Sequence, residues 1–523
     1  MSLRRVGGLA AVALATLLWM SCGDIFRPVV IPINTNPPNP ANFHAVFAIS
    51  TNVPSNPGTA FQIDVSGDTD IGAANMGINP THAAMLPSNA RVFVASAGSL
   101  YPGDADVVTA FTPSPSGTTS TGLGAPMTFS LPNFGPIDPT TGKPEWTCSY
   151  LPDFVTTTQN TAVYVANYGV DNAASCNPNL ASTDSVAALN ASTNVVSNIA
   201  YLPAGSHPVA LAETPNALNL YVLNQGSNTV TDLSPLDLSM LATIPVGNTP
   251  VWAVARPDGQ RVYVVTQGDG RLYTIDTSSN AQIAGSPQSV GVPGANFVLY
   301  DSSRNRLYVT NPAAGAVYVF NATTDPPTPL GGGTGAISIT APPPCATAGA
   351  CNPVMPVSVA VLPDGSRFYV ASYATAAGSA CPDPNLTSSG CVIPQITVFD
   401  AGSLGVKTTV FPLLPPVTTP MAGVQPFALT PVSFCAPVTP YTPAAARFRM
   451  SATAAADGSR VYASLCDGGS IAIVTTTTST LSQGSNTPDT LVTDLPAPFS
   501  AAPAPCQTCE PPLQNPVFLL TGQ

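Results

Sequence analysis

The side chains able to do chemistry are few and scattered. The 523 residues contain 3 histidines, His44, His82 and His207, and the glutamates are Glu145, Glu213 and Glu510. Beside them stand 11 cysteines and, among the 27 Asp+Glu, aspartates for the rest. Cys506-Gln-Thr-Cys509 has the spacing of a redox or metal-binding pair. No second pair stands at zinc-ribbon distance, however, and Glu510 takes the place where haem attachment requires His. Asp64-Val-Ser-Gly-Asp68-Thr-Asp70 sets oxygens at alternate positions, as a calcium loop does. Thr69 and Asn75 stand where such a loop needs Gly and an acidic residue, so a solvated turn is expected. There is no Gly-x-Ser-x-Gly elbow, zincin helix or Gly-rich phosphate loop. The sequence therefore assigns no catalytic residue, no metal site and no cofactor.

Charge narrows the partners. The 15 Lys+Arg against 27 Asp+Glu give a net charge of −12, and charged residues are only 8% of the chain. A soluble domain normally carries about 25%. No basic stripe exists to replace counterions on phosphates, which argues against nucleic acid. Hydrophobic residues at 44% are enough for a large core. The 58 prolines and 41 glycines, about a fifth of the chain, fall below the roughly 25–30% of low-complexity disorder.

What must position these side chains is a repeat. Segments align on one aromatic residue: Phe93, Tyr164, Tyr221, Tyr263, Tyr308, Tyr369 and Tyr462. All but Tyr462 are followed by Val. Four of them carry Pro both thirteen and six residues earlier: Pro80/Pro87, Pro208/Pro215, Pro250/Pro257 and Pro356/Pro363. The best-formed unit reads as strand Pro250–Ala255, a tight turn at Pro257-Asp-Gly, and strands from Arg261 and Leu272. The preceding unit shows a fourth strand at Leu241–Val246. Four short antiparallel strands in 42 residues, the shortest anchor spacing, is the arithmetic of a propeller blade.

Tyr308-Val-Thr-Asn311, with Tyr164-Val-Ala-Asn167 and Tyr221-Val-Leu-Asn224 as near copies, resembles the YVTN β-propeller repeat family. Ile244-Pro-Val-Gly-Asn-Thr-Pro250 followed by Pro257-Asp-Gly259 is similar to that family too. The likeness is strongest between about 200 and 320. It implies a surface or exported ring and no particular ligand. The expected fold is all-β: a seven-bladed β-propeller of four-stranded antiparallel blades over residues 44–500. Residues 45–50 and 61–65 should pair with 515–520 across the ring seam; eight blades, the extra one assembled from both chain ends, are the alternative.

The N-terminus reads as an export signal over 1–22. Arg4 and Arg5 precede the uncharged stretch Val6–Met20, which is shorter than the roughly 20 residues a membrane span needs. Ser21-Cys22-Gly23 resembles a bacterial lipobox, with Trp19 in place of the preferred Leu, and makes Cys22 the lipid-attachment candidate. Residues 23–43 are a Pro- and Asn-rich spacer, and 501–523 a Pro- and Cys-rich tail with the ring-closing strand. The other ten cysteines, Cys148, Cys176, Cys345, Cys351, Cys381, Cys391, Cys435, Cys466, Cys506 and Cys509, are even in number, as a disulfide framework in an exported chain requires. Localisation at the outer membrane or cell surface is expected, with a periplasmic or secreted protein as the alternative.

First-to-second-strand turns are short throughout. The large insertions (132–150, 167–185, 341–355, 372–394 and 412–446) fall on the opposite face, together with eight of the ten cysteines. Eleven residues before the aromatic anchors stand His82, Asp153, Ala210, Trp252, Phe297, Ser358 and Ser451. This ring lies early on the innermost strands and places His82, Asp153 and Trp252 as candidate ligand contacts near the axis on the insertion-bearing face. The function that follows is a non-catalytic binding module at the cell envelope, its partner a protein or glycan, touching the membrane only through its lipid. The rivals are a lactonase-like propeller hydrolase and a structural surface-layer component.

Overall fold

Central strands of this chain are apolar on both faces, because each is covered by a sheet on either side. Val262, Tyr263, Val264 and Val265 are all fully buried, as are Leu307, Tyr308 and Val309. Such continuous runs belong to strands packed on both faces. In the computed structural model they form eight separate sheets, each built on four antiparallel strands. The described residues are 45–52, 57–98, 107–113, 123–124, 126–131, 139–140, 148–171, 179–193, 195–331, 333–345, 351–377, 381, 383, 386, 390–413, 424–429, 435, 449–477, 487–496 and 515–522. All lie within one compact unit, Pro37–Gln523. The proposed signal, the spacer and Cys22, Cys176, Cys506 and Cys509 fall outside the described residues.

The eight innermost strands are Pro80–Met85, Pro152–Thr156, Pro208–Glu213, Pro250–Ala255, Phe297–Asp301, Met355–Val361, Ala452–Ala454 and Asn515–Thr521. Each touches the next in that order, and Asn515–Thr521 touches Pro80–Met85, so the ring closes. The blade count is therefore eight rather than seven. Ala45–Thr51, Pro57–Asp64 and Thr69–Ile78 supply three strands of the extra blade, and the last strand of the chain supplies its innermost one. Val46 pairs with Thr521 and Thr51 with Asn515. This blade escapes a repeat search because its two halves lie at opposite ends of the chain. Its aromatic anchor, Phe47, is also followed by Ala48 rather than Val.

The aromatic anchors explain why the repeat is written as it is. Tyr221, Tyr263, Tyr308, Tyr369, Tyr462 and Phe93 are fully buried. Several reach into the third-to-fourth turn of the following blade. The Tyr164 hydroxyl donates to the Pro235 carbonyl at 2.8 Å, Tyr221 to Asn280 Oδ1 at 2.7 Å, and Tyr369 to Asp489 Oδ1 at 2.6 Å. Tyr462 completes the series at the seam, donating to Asp68 Oδ1 at 3.0 Å. Asp68 thus serves blade closure rather than a solvated turn. Each anchor fills an inter-blade gap with a ring, and in these four tyrosines the one polar atom is satisfied there as well, whereas the buried hydroxyls of Tyr263 and Tyr308 find no such partner.

Local chemistry also sets the short turns. Asp258, Asp364 and Asp457 each accept a hydrogen bond from the backbone N–H two residues on, at 2.9 Å. The glycine between takes φ of 70°, 66° and 69° respectively, a region open to Gly without penalty. On the opposite face, disulfides join Cys345 to Cys351, Cys381 to Cys391 and Cys435 to Cys466. Cys148 is disulfide-bonded as well. These bonds fit an oxidising, extracellular or periplasmic compartment. Among the described residues no helix is long and apolar enough to cross a membrane.

Candidate functional site

Six innermost strands carry Pro as their first or second residue, followed by a bulge. The ladder skips from Pro80 to His82, from Pro152 to Phe154, from Pro208 to Ala210, from Pro250 to Trp252 and from Pro356 to Ser358. The eighth blade does the same between Pro516 and Phe518. Proline cannot donate to the ladder and is tolerated at a strand start, and the bulge re-aims the residue that follows. Phe297 and Ser451 occupy the equivalent register in the remaining two blades, two positions before the residue opposite the anchor aromatic.

The axis is thereby ringed by His82, Phe154, Ala210, Trp252, Phe297, Ser358, Ser451 and Phe518. Five of these form an aromatic cluster. His82 stacks on Phe154 at 3.7 Å between centroids and 16° between planes, and packs against Phe518 at 4.4 Å. Trp252 meets Phe154 edge-on at 5.3 Å, His82 at 5.6 Å and Phe297 at 5.0 Å. His82 Nδ1 lies 3.0 Å from the Val155 carbonyl, an acceptor only, so that nitrogen carries the proton. Ser358 Oγ accepts from the Ala452 N–H at 3.1 Å, tying the sixth blade to the seventh.

The structure brings His82 and Trp252 together, but it puts Phe154 rather than Asp153 in the axial ring. Asp153 occupies the bulge position, buried, where its carbonyl accepts a hydrogen bond from Thr81 Oγ1 at 2.6 Å. Counting back from the aromatic anchor misplaces it because the hairpin from Phe154 to Tyr164 is one residue shorter than that from His82 to Phe93. A better signal was present in the sequence: Pro, any residue, then the axial one. That rule picks out Phe154 and also finds Phe518.

The ring is a floor as much as a wall. Between Met450, Ser451, Val517 and Phe518 only about 20 Å³ remains, the room of one water. On the other side the axis widens into a cavity of about 390 Å³, lined by Trp252, Phe297, Tyr300, Ser358, Ser451 and Thr453 among others. Its mouth is formed by Ser302, Ser303, Pro363 and Ala456, residues of the first-to-second turns. The sequence pointed to the insertion-bearing face, whereas the described cavity opens on the short-turn face. The strands narrow toward their N-terminal ends, where the Pro-initiated bulges crowd five rings together. Beside the mouth, a shallower depression of about 430 Å³ shares Tyr300 and Ser302 with the funnel and adds Arg256, Asp258 and Asn305. Arg256 Nε donates to Asp258 Oδ1 at 2.9 Å, and Arg261 pairs with Asp276 and Asp325 at 2.8 Å each. The site thus grades from an aromatic base to a polar, charge-paired rim.

The sequence matches no protein-family model and no curated protein. Solved structures do resemble it. Dihydro-heme d1 dehydrogenase NirN is 12% identical with a TM-score of 0.50, covering 93% of this chain and 76% of that one. A periplasmic gluconolactonase of Pseudomonas aeruginosa is 14% identical with a TM-score of 0.47, covering 70% of this chain and 94% of its own. A putative 6-phosphogluconolactonase from Bacteroides fragilis is 12% identical with a TM-score of 0.45, covering 92% and 99%. At this identity the likeness concerns the fold alone, a β-propeller.

Proposed function

We propose that the chain is an exported, YVTN-type β-propeller, lipid-anchored through Cys22, and that it acts as a non-catalytic binding module for a glycan at the cell envelope. The ligand occupies the axial funnel. The observation that carries this reading is the composition of that funnel. Trp252 and Phe297 supply aromatic rings against which the apolar side of a sugar can pack, and Ser358, Ser451 and Thr453 supply hydroxyls further round the wall. The volume of about 390 Å³ lies within the usual range for small-ligand sites, about 300–1,000 Å³. A lactonase-like hydrolase needs carboxylates and imidazoles converging on the axis. There the described ring brings one imidazole, His82, among four other aromatic side chains.

The test is a screen of the purified chain against immobilised envelope glycans, run beside Trp252→Ala. Binding that falls at least tenfold in the variant supports the reading; equal binding by both, or hydrolysis of a lactone lost in His82→Ala, contradicts it. The anchor is tested separately by fractionation. Cys22→Ser should appear in the medium while the unaltered protein stays with membranes.

A further inference from the structure

At the boundary of the second and third blades, on the insertion-bearing face, three side chains converge that the axial site does not use. Asp171 follows the second strand of its blade, Asp184 immediately precedes the third, and His207 immediately precedes the innermost strand of the next blade. One donor atom from each lies within 4.8 Å of the others. Asp184 is fully buried. Its Oδ2 accepts the Ser206 N–H at 2.9 Å, while Oδ1 accepts no hydrogen bond and sits 3.3 Å from His207 Nδ1. Gly169 makes the cradle: it has φ of 76°, and a Cβ there would stand 2.3 Å from Asp184 Oδ1.

The imidazole is held from both sides. His207 stacks on Tyr168 at 4.4 Å with 7° between planes, and its Nδ1 faces the Tyr168 carbonyl at 3.2 Å. Facing a carbonyl and a carboxylate, Nδ1 carries the proton. The lone pair of Nε2 then points at Asp171 Oδ1, 3.3 Å away. Two such acceptors face each other across either a proton on Nε2 or a metal cation, and the buried Asp184 Oδ1 left without a hydrogen bond favours the cation. Donor atoms about 2.0–2.2 Å from a tetrahedral metal stand roughly 3.4 Å apart, which the Nε2 to Asp171 Oδ1 distance of 3.3 Å matches, and an Asp184 oxygen lies within 4.8 Å of a donor atom on both residues. A backbone carbonyl holding the other ring nitrogen is the usual outer partner of a metal-bound His. The mix of one imidazole and two carboxylates suits zinc better than calcium, which takes six to eight oxygens.

We propose that Asp171, Asp184 and His207 form a binding site for a zinc-type divalent cation, which ties Asp171 and Asp184 of the second blade to the start of the third. Independent of the axial funnel, the site acts as a staple beside the disulfides of the same face. The experiment is calorimetric titration of the purified, EDTA-treated full chain with Zn2+ under non-reducing conditions. One equivalent should bind to the unaltered protein. His207→Gln should remove that equivalent, and Asp171→Asn, at a position whose side chain is 66% exposed, should weaken it at least tenfold while thermal unfolding stays cooperative. Absence of binding to the unaltered chain overturns the proposal and leaves His207 as an imidazolium bridging two carboxylates. Retention of full affinity by either variant overturns it as well.

Discussion

Tyr462 and Asp68 stand 394 residues apart in sequence and share a hydrogen bond of 3.0 Å across the seam of the ring. Arg460 joins them, its Nε 3.0 Å from Asp68 Oδ2, with the two side chains only 6% and 10% exposed. Removing one partner of a buried ion pair strands the other charge. Asp68→Ala is therefore expected to lose about 3–5 kcal/mol of stability. Tyr462→Phe, which gives up a single hydrogen bond and keeps the ring, should lose about 1 kcal/mol. Denaturant unfolding of the two variants checks the order; equal effects would mean that Arg460 does not depend on Asp68.

Removal of residues 515–523 tests the eighth blade. Without Asn515–Thr521, the strand Ala45–Thr51 loses its inner partner and the axial ring loses Phe518. Limited proteolysis should then cleave within residues 45–78 of the truncated chain and spare them in the full one. Unchanged protection would mean that the ring closes without its last strand.

How much of this was legible in the sequence depends on whether a feature recurs. The anchor tyrosines and the Pro-led inner strands recur because every blade meets the same neighbour, so the propeller could be read from them. The eighth blade could not be counted, since its inner strand and the remaining three are separated by almost the whole chain. Asp153 was misplaced by a single-residue difference in one hairpin. Asp171, Asp184 and His207 carried no signal at all, because their convergence depends on packing between two blades rather than on spacing.

Disulfide loop length sets a graded prediction. Cys435 and Cys466 are 31 residues apart, Cys345 and Cys351 only 6. In the chain-entropy account, replacing the first pair by serines should destabilise the fold about 1.5 kcal/mol more than replacing the second. Comparison of the two double variants in denaturant measures this; a larger loss from the short loop would contradict the entropic origin.

Glu213 gives a pH dependence of defined sign. It is buried, and burial holds its carboxyl above the ordinary value of 4.5, outweighing the Thr158 N–H that donates to Oε2 at 2.7 Å. A raised folded-state pKa favours folding below the unfolded value, and that contribution is lost as pH rises through the folded one. Glu213→Gln should thus raise Tm at pH 8, with the difference fading below about pH 4. A constant difference across that range would show that Glu213 acts through packing rather than ionisation.

The central claim is that the axial funnel holds a ligand against Trp252, and the emission of that residue tests it most directly. The three tryptophans are Trp19, Trp146 and Trp252, and Trp19 lies in the proposed leader. With Trp146→Phe, Trp252 becomes the reporter of the processed chain. Titration with the envelope glycan that binds best in the screen should give a saturable change in its emission. Filling the funnel with Ser358→Phe, which also gives up the hydrogen bond from the Ala452 N–H, should abolish that change while unfolding stays cooperative. Full-affinity binding that leaves Trp252 emission untouched and survives Ser358→Phe would contradict the account and place the partner elsewhere on the ring.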